Sequence, residues 1–224
     1  MISSFQKAVL LCLLLNALAS VLMLFVLRPG VDPALELVDR IRYIAAHPGW
    51  WRLGWLVWMG AALSLIYFFI HWGLFLDGHA PRALIFFGVM VGSLGMVADI
   101  LAETLFLGLL PRLAREILQT PEGSQGVLLQ SFAHWQWATT LMTGFVGNGF
   151  YALGGLILNG ISHRSGRFRK IFVWLGWPTW IFAVGLAVAT VGMWRIPLML
   201  FTALTMGWFI FWLMVLLVFF KEAR

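Results

Sequence analysis

Two carboxylates four residues apart, Asp99 and Glu103, stand in the apolar run "GVMVGSLGMVADILAETLFLG" that extends from Gly88 to Gly108. Acids so placed either hold exchangeable positive charge, as a proton or a metal ion, or form a buried hydrogen-bond staple. On a helix, residues four apart share a face, and the same face reads Gly95, Gly92 and Gly88 towards the helix start. A stripe of small residues admits a neighbouring helix closely, so both acids are expected to face protein rather than lipid. An ionised side chain at mid-membrane costs about 2.5–3.5 kcal/mol on insertion scales, which makes an inward position necessary. Two close carboxylates at low dielectric cannot both carry charge cheaply. No Lys or Arg lies mid-span to pair with them.

Depth nominates their neighbours. At about 1.5 Å per residue, Glu103 sits roughly 10 Å inside the end of its span, and Asp99 lies one turn deeper. On the antiparallel span that follows, comparable depths fall at Thr139, Thr140 and Thr143, with Asn148 deeper. That span carries its own small and polar stripe of Thr140, Gly144, Gly147, Tyr151 and Gly154 or Gly155. Ser64 on the second span and Asn16 on the first reach similar depth. Asp99, Glu103, Thr140, Thr143, Asn148 and Ser64 are therefore the expected members of a proton, ion or solute pocket, centred between the third and fourth spans.

The chain that must position these residues has 224 residues, 62% of them hydrophobic and 11% charged, with a mean hydropathy of +0.92. A soluble domain carries roughly 45–50% apolar and about 25% charged residues, so so few charges could not solvate a water-facing surface. The fold class expected is all-α, a polytopic membrane bundle in one domain. Six apolar stretches are long enough to cross, at about Ala8–Leu27, Leu53–Leu76, Ala83–Leu110, Phe132–Leu158, Ile171–Trp194 and Leu198–Phe220. Barrel strands would be about ten residues long and strictly alternating. The first run, with Ala17-Leu18-Ala19 inside it, imitates a signal peptide. Its continuation to Leu27 makes it a retained first helix.

Between the first two spans, "DPALELVDRIRYIAAHPGWWR" predicts a short amphipathic helix on the membrane surface over about 33–46. Asp32 would be its N-cap and Pro33 its first helical position, with Leu37, Ile41 and Ile44 on one face. Trp50, Trp51, Trp55, Trp135, Trp137 and Trp194 are expected as anchors at one interface, and Trp72, Trp174 and Trp177 at the other. The net charge of +6 sits in loops and speaks for orientation and anionic lipid rather than nucleic acid. Eight basic residues fall on the side of the termini and seven opposite. The dense "RSGRFRK" loop favours cytoplasmic termini.

"LGWLVW" (Leu53–Trp58) and "LGWPTW" (Leu175–Trp180) suggest a 3+3 inverted repeat, with "ALASVLML" (Ala17–Leu24) set against "ALGGLIL" (Ala152–Leu158). Inverted repeats recur in secondary transporters, with the working site near the midplane. Cys12 is the single cysteine, so no intrachain disulfide exists. His71 and His134 lie at opposite depths, which disfavours paired haem ligation. A metal held by Asp99, Glu103 and His134 would lack a second histidine on the same turn, and no metal or cofactor is expected. No phosphate loop, zinc-protease helix or nucleophile elbow occurs.

The stretches "AAHPGWWRLGW", "ADILAETLFLGLLP" and "GNGFYALGGLIL", taken in span order over most of the chain, resemble small six-span bacterial membrane proteins of unknown function. The resemblance implies a bacterial inner-membrane setting and assigns no residue a role. The function expected is proton- or cation-linked transport of a small solute. The alternative is a noncatalytic subunit or assembly partner of a larger membrane complex, in which the acids are a staple, or a homo-oligomer. A third reading, a membrane enzyme or metal-dependent redox protein, requires a metal or cofactor retained on purification.

Overall fold

The computed structural model describes residues 3–219, so Phe220, the expected end of the last span, lies outside the described residues, as do Lys221 and Arg224. The described residues are helical with short connections and contain no strand. Six helices are long and apolar enough to cross a membrane: Ser4–Val31, Pro48–Leu76, Arg82–Gln119, Gly126–Ser165, Lys170–Val191 and Arg195–Phe219. The chain is an integral, multi-pass membrane protein. Its outer surface agrees, with large apolar side chains such as Phe86, Phe87, Leu101 and Ile181 exposed.

Each span packs on the one before it and the one after it, and the sixth closes on the first. The result is a ring of six helices in chain order, every neighbour antiparallel, with the third span opposite the sixth. Glycine sets the tightest seam. A Cβ on Gly95 would come within 2.6 Å of the Gly147 carbonyl oxygen, and one on Gly154 within 2.7 Å of the Gly88 carbonyl oxygen and the Gly92 nitrogen. The third and fourth spans therefore meet backbone to backbone along the stripe of Gly88, Gly92 and Gly95. Gly144 and Gly155 serve the other side of the fourth span, beneath Thr190 and Trp180 of the fifth.

The third and fourth spans are longer than the sequence suggests, at 38 and 40 residues. At about 1.5 Å per residue they measure roughly 57 and 60 Å, against a hydrocarbon core of about 30 Å. Pro111 reads as a stop but lies buried inside the third helix. Proline there costs a backbone hydrogen bond. The stripe of Phe106, Leu110, Ala114 and Ile117 runs straight through it, buried against Phe132, Ile41 and Ile44, and that packing outweighs the cost. The excess length of both helices forms a hairpin on the side away from the termini, turned by Glu122–Ser124.

The connection between the first two spans contains a helix at Leu37–Ala46 rather than from Pro33. The first span continues through Arg28–Val31 and Asp32 closes it; Asp32 also accepts from the Ala34 nitrogen at 2.9 Å and from Arg28 Nε at 3.2 Å. Asp32 is thus occupied as a stop and cannot cap the next helix. Ile41 and Ile44 are fully buried in the core shared with Leu27, Trp51 and Trp55, so the apolar face of this helix packs on the protein's own hairpin end. Gln136 ties it down: its Nε2 donates to the Gly30 carbonyl at 2.8 Å, and its Oε1 accepts from Arg40 Nη1. Burial draws the Arg40 guanidinium down from its ordinary value, opposed by the charges of Asp32 and Glu36.

Several tryptophans expected as interfacial anchors are core residues. Trp51, Trp55 and Trp72 are buried, while Trp50, Trp135, Trp174 and Trp194 are exposed. Each of two buried indoles has found a partner for its N–H: Trp51 donates to the Phe106 carbonyl at 2.7 Å and Trp72 to Ser162 Oγ at 2.8 Å. A buried indole needs such an acceptor.

Candidate functional site

Two apolar cores occupy the two ends of the ring. One gathers Trp72, Trp180, Trp212, Phe68 and Phe69 towards the termini. The other gathers Trp51, Trp55 and Phe106 at the hairpin end, where the Trp55 and Phe106 rings stack at 3.9 Å and 3°. Between them lies a cavity of about 70 Å³. Asn16 of the first span, Trp58 and Ala61 of the second, Asp99 of the third, Asn148 and Tyr151 of the fourth, Thr179 and Trp180 of the fifth, and Thr205 of the sixth line it. Every span contributes.

The lining is largely apolar, with Asn16, Asp99, Asn148, Tyr151, Thr179 and Thr205 set into it. Thr179 Oγ1, Thr205 Oγ1 and Trp180 Nε1 are buried with no hydrogen-bond partner. The threonines are informative by contrast. Thr104, Thr139, Thr140, Thr190 and Thr202 all donate to a carbonyl one turn back on their own helix. Thr179 and Thr205 do not, and both line the cavity. For Thr179 the carbonyl one turn back, that of Leu175, already accepts from Trp208 Nε1 at 2.8 Å. A buried polar group without a partner costs about 1–3 kcal/mol, so these groups are a local cost of the packing around the cavity.

Asp99 is 5% exposed, and its carboxylate lies beside the Tyr151 hydroxyl and interacts with it. The glycine seam makes that possible: a Cβ on Gly147 would meet Asp99 Oδ1 at 2.6 Å. The fourth span is π-helical over Met142–Gly147 at this point, and Asn148 Nδ2 closes the irregular turn by donating to the Thr143 carbonyl at 2.9 Å. Single π-helical turns inside α-helices are frequent at functional sites.

Of the pocket residues nominated from sequence, the cavity takes in Asp99 and Asn148. Glu103 is fully buried one turn towards the hairpin end, outside the lining, and neither of its carboxylate oxygens has a hydrogen-bond partner. Thr140 and Thr143 are half-buried and donate to Gln136 and Thr140 carbonyls of their own helix. Ser64 lies just behind the lining, donating to the Ala61 carbonyl at 2.7 Å and accepting from Asn16 Nδ2 at 3.4 Å. The ion pairs among the described residues, Arg28–Asp32, Arg42–Asp39 and Arg82–Asp77, involve neither buried acid. No cluster of three His, Cys, Asp or Glu side chains suited to a metal occurs among the described residues. Thr179, Trp180 and Thr205 escape a reading by depth from Asp99, because they belong to spans distant in sequence that only ring closure brings opposite.

Comparison with protein-family models, curated proteins and solved structures finds no match to this chain.

Proposed function

We propose that this chain is a bacterial inner-membrane carrier, with both termini cytoplasmic, that moves a small solute in a proton- or cation-linked cycle. Asp99 is the acid at the solute cavity, and Glu103 is the second buried acid on the same helix face. One observation carries the reading: the cavity lined by all six spans, to which the third contributes the buried acid Asp99. A staple would have used its hydrogen-bonding groups on each other, whereas both oxygens of Glu103 lack partners. Intramembrane acids facing a cavity mark ion and proton pathways.

The 3+3 inverted repeat belongs to the same reading. The alignment that sets Ala17 against Ala152 also sets Asn16 against Tyr151. The one that sets Leu53 against Leu175 sets Trp58 against Trp180 and Ala61 against Ala183. All six of these residues line the cavity. Gly54 and Gly176, paired by the same alignment, each take close contact from the preceding span, from Leu27 and Asn159 respectively. Such pairing supports two halves of opposite orientation around one central site, the plan of many secondary carriers. Cytoplasmic termini rest on the basic loop Arg164–Lys170.

The test is proton movement in liposomes holding an entrapped pH dye and the purified protein, challenged with small amines, amino acids and monovalent cations. The parent should show solute-dependent proton uptake, and Asp99→Asn should abolish it, with Glu103→Gln lowering it. Uptake equal in the parent and both variants would remove the coupling role.

A further inference from the structure

We infer that the solute is a small primary alkylammonium ion, about the size of propylammonium, held by its charged end at Asp99, Asn16 and Asn148. The assignment rests on reading the cavity as a solute site. Its first support is which polar groups reach the space. The hydroxyls of Thr179 and Thr205 and the Trp180 N–H are sealed in the packing, and the Tyr151 hydroxyl lies against Asp99. Asn16 and Asp99 line the cavity and stay 8% and 5% exposed, and Asn148, also in the lining, is half-buried. Both amides are fixed in orientation by their nitrogens. Asn16 Nδ2 donates to the Cys12 carbonyl at 2.9 Å, and Asn148 Nδ2 donates to the Thr143 carbonyl at 2.9 Å. A carbonyl only accepts, so each amide must turn its nitrogen that way, and Oδ1 is the end left over. Neither Oδ1 accepts a hydrogen bond among the described residues, and neither is among the atoms sealed from water. The cavity therefore meets its contents with acceptors, a carboxylate on the third span and amide oxygens on the first and fourth. An ammonium group brings three donors and the opposite charge, and a buried charge needs that pairing.

The rest of the wall names the other end of the solute. Ala61, Ala62, Leu65, Ala183 and Phe209 surround the space with hydrocarbon, which suits a short alkyl tail. One water needs about 10–15 Å³ of such space, so the cavity of about 70 Å³ admits roughly five non-hydrogen atoms. Propylammonium and butylammonium fit this bound, and hexylammonium does not. A sodium ion meets the same oxygens but leaves the apolar remainder of the space unfilled. A neutral isostere such as propanol leaves Asp99 without its counter-charge, and sites built on a buried polar contact reject such analogues strongly.

The test is equilibrium binding of radiolabelled propylammonium to the full-length protein in lipid nanodiscs, with empty nanodiscs subtracted. Propanol, propionate, sodium, methylammonium, butylammonium and hexylammonium serve as competitors. Binding should saturate, butylammonium should compete as well as propylammonium itself, and propanol and hexylammonium should each compete at least about tenfold more weakly. Asp99→Asn should abolish the binding, and Asn16→Leu should weaken it several-fold. The tail-length series needs only the parent protein, so it decides the matter even if a variant fails to fold. Equal competition by propanol would overturn the ammonium end, and equal competition by sodium or hexylammonium would overturn the fitted alkyl tail. Absence of saturable binding with Asp99-dependent proton uptake intact for another solute would overturn the solute class alone; absence of both would overturn the carrier reading as well.

Discussion

The Asp99 carboxylate lies against the bare α-carbon of Gly147, so close that a methyl group there would come within 2.6 Å of Oδ1. Gly147 gives the acid that room, while Gly95 and Gly154 bring the two backbones together elsewhere along the seam. Gly147→Ala should therefore displace the carboxylate and impair Asp99-dependent proton uptake while leaving most of the stability. Gly95→Ala instead meets the Gly147 carbonyl oxygen at 2.6 Å, an atom that cannot swing away. Overpacking of this kind costs about 1–3 kcal/mol. Gly108→Ala, with no atom within 4 Å, serves as the control. Thermal unfolding in detergent should rank Gly108→Ala at or above the parent, Gly147→Ala slightly below and Gly95→Ala lowest; a reversed order would contradict the seam.

The unpartnered hydroxyls make a prediction that runs against ordinary expectation for buried polar groups. Removing an unsatisfied hydroxyl by an isosteric apolar side chain relieves a desolvation cost. Thr205→Val and Thr179→Val should leave the empty protein as stable as the parent or up to about 1 kcal/mol more stable. Thr190→Val removes a hydroxyl that donates to the Leu186 carbonyl at 2.8 Å and should lower stability by about 0.5–1 kcal/mol. Denaturation of the three variants without added solute checks the contrast. A destabilised Thr205→Val with an unaffected Thr190→Val would mean that the cavity hydroxyls are structural.

Gln136 is the link between the hairpin and the short helix Leu37–Ala46. Gln136→Leu would strand the Gly30 carbonyl and Arg40 Nη1 together, at a cost of about 1–3 kcal/mol for a stranded group. Hydrogen exchange should quicken across Leu37–Ala46 and remain unchanged around Asp99. Uniform exchange across both regions would show that the hairpin end and the cavity unfold as one unit.

The six spans were legible because apolar runs of that length have few other uses, and the inward turn of Asp99 was legible from the glycines sharing its face. The hairpin end was not. Pro111 is locally a stop signal, and only Phe132, Ile41 and Ile44, from two other segments, make its continuation worthwhile. Trp51, Trp55 and Trp72 read as anchors because residue type suggests the interface, while the packing partner that buries each is a tertiary matter. Thr179 and Thr205 were hidden for a related reason. A threonine in an apolar helix usually bonds its own backbone, and nothing local distinguishes these two from Thr190 or Thr202. The motif "LGWPTW" contains Thr179 and Trp180, both in the cavity lining, while Thr205 lies outside either motif.

The central claim is that solvent and small solutes reach the space between Asp99 and Thr205, although both residues are buried by protein. Cys12 is the single native cysteine, so one introduced thiol can report on it. In a Cys12→Ser background in lipid vesicles, Thr205→Cys should react with a small water-soluble cationic thiosulfonate, and adding Asp99→Asn should slow that reaction several-fold. Leu101→Cys, on the exposed apolar surface of the third span, should stay unmodified because lipid covers it. An inert thiol at 205 beside a reactive one at 101 would contradict the account.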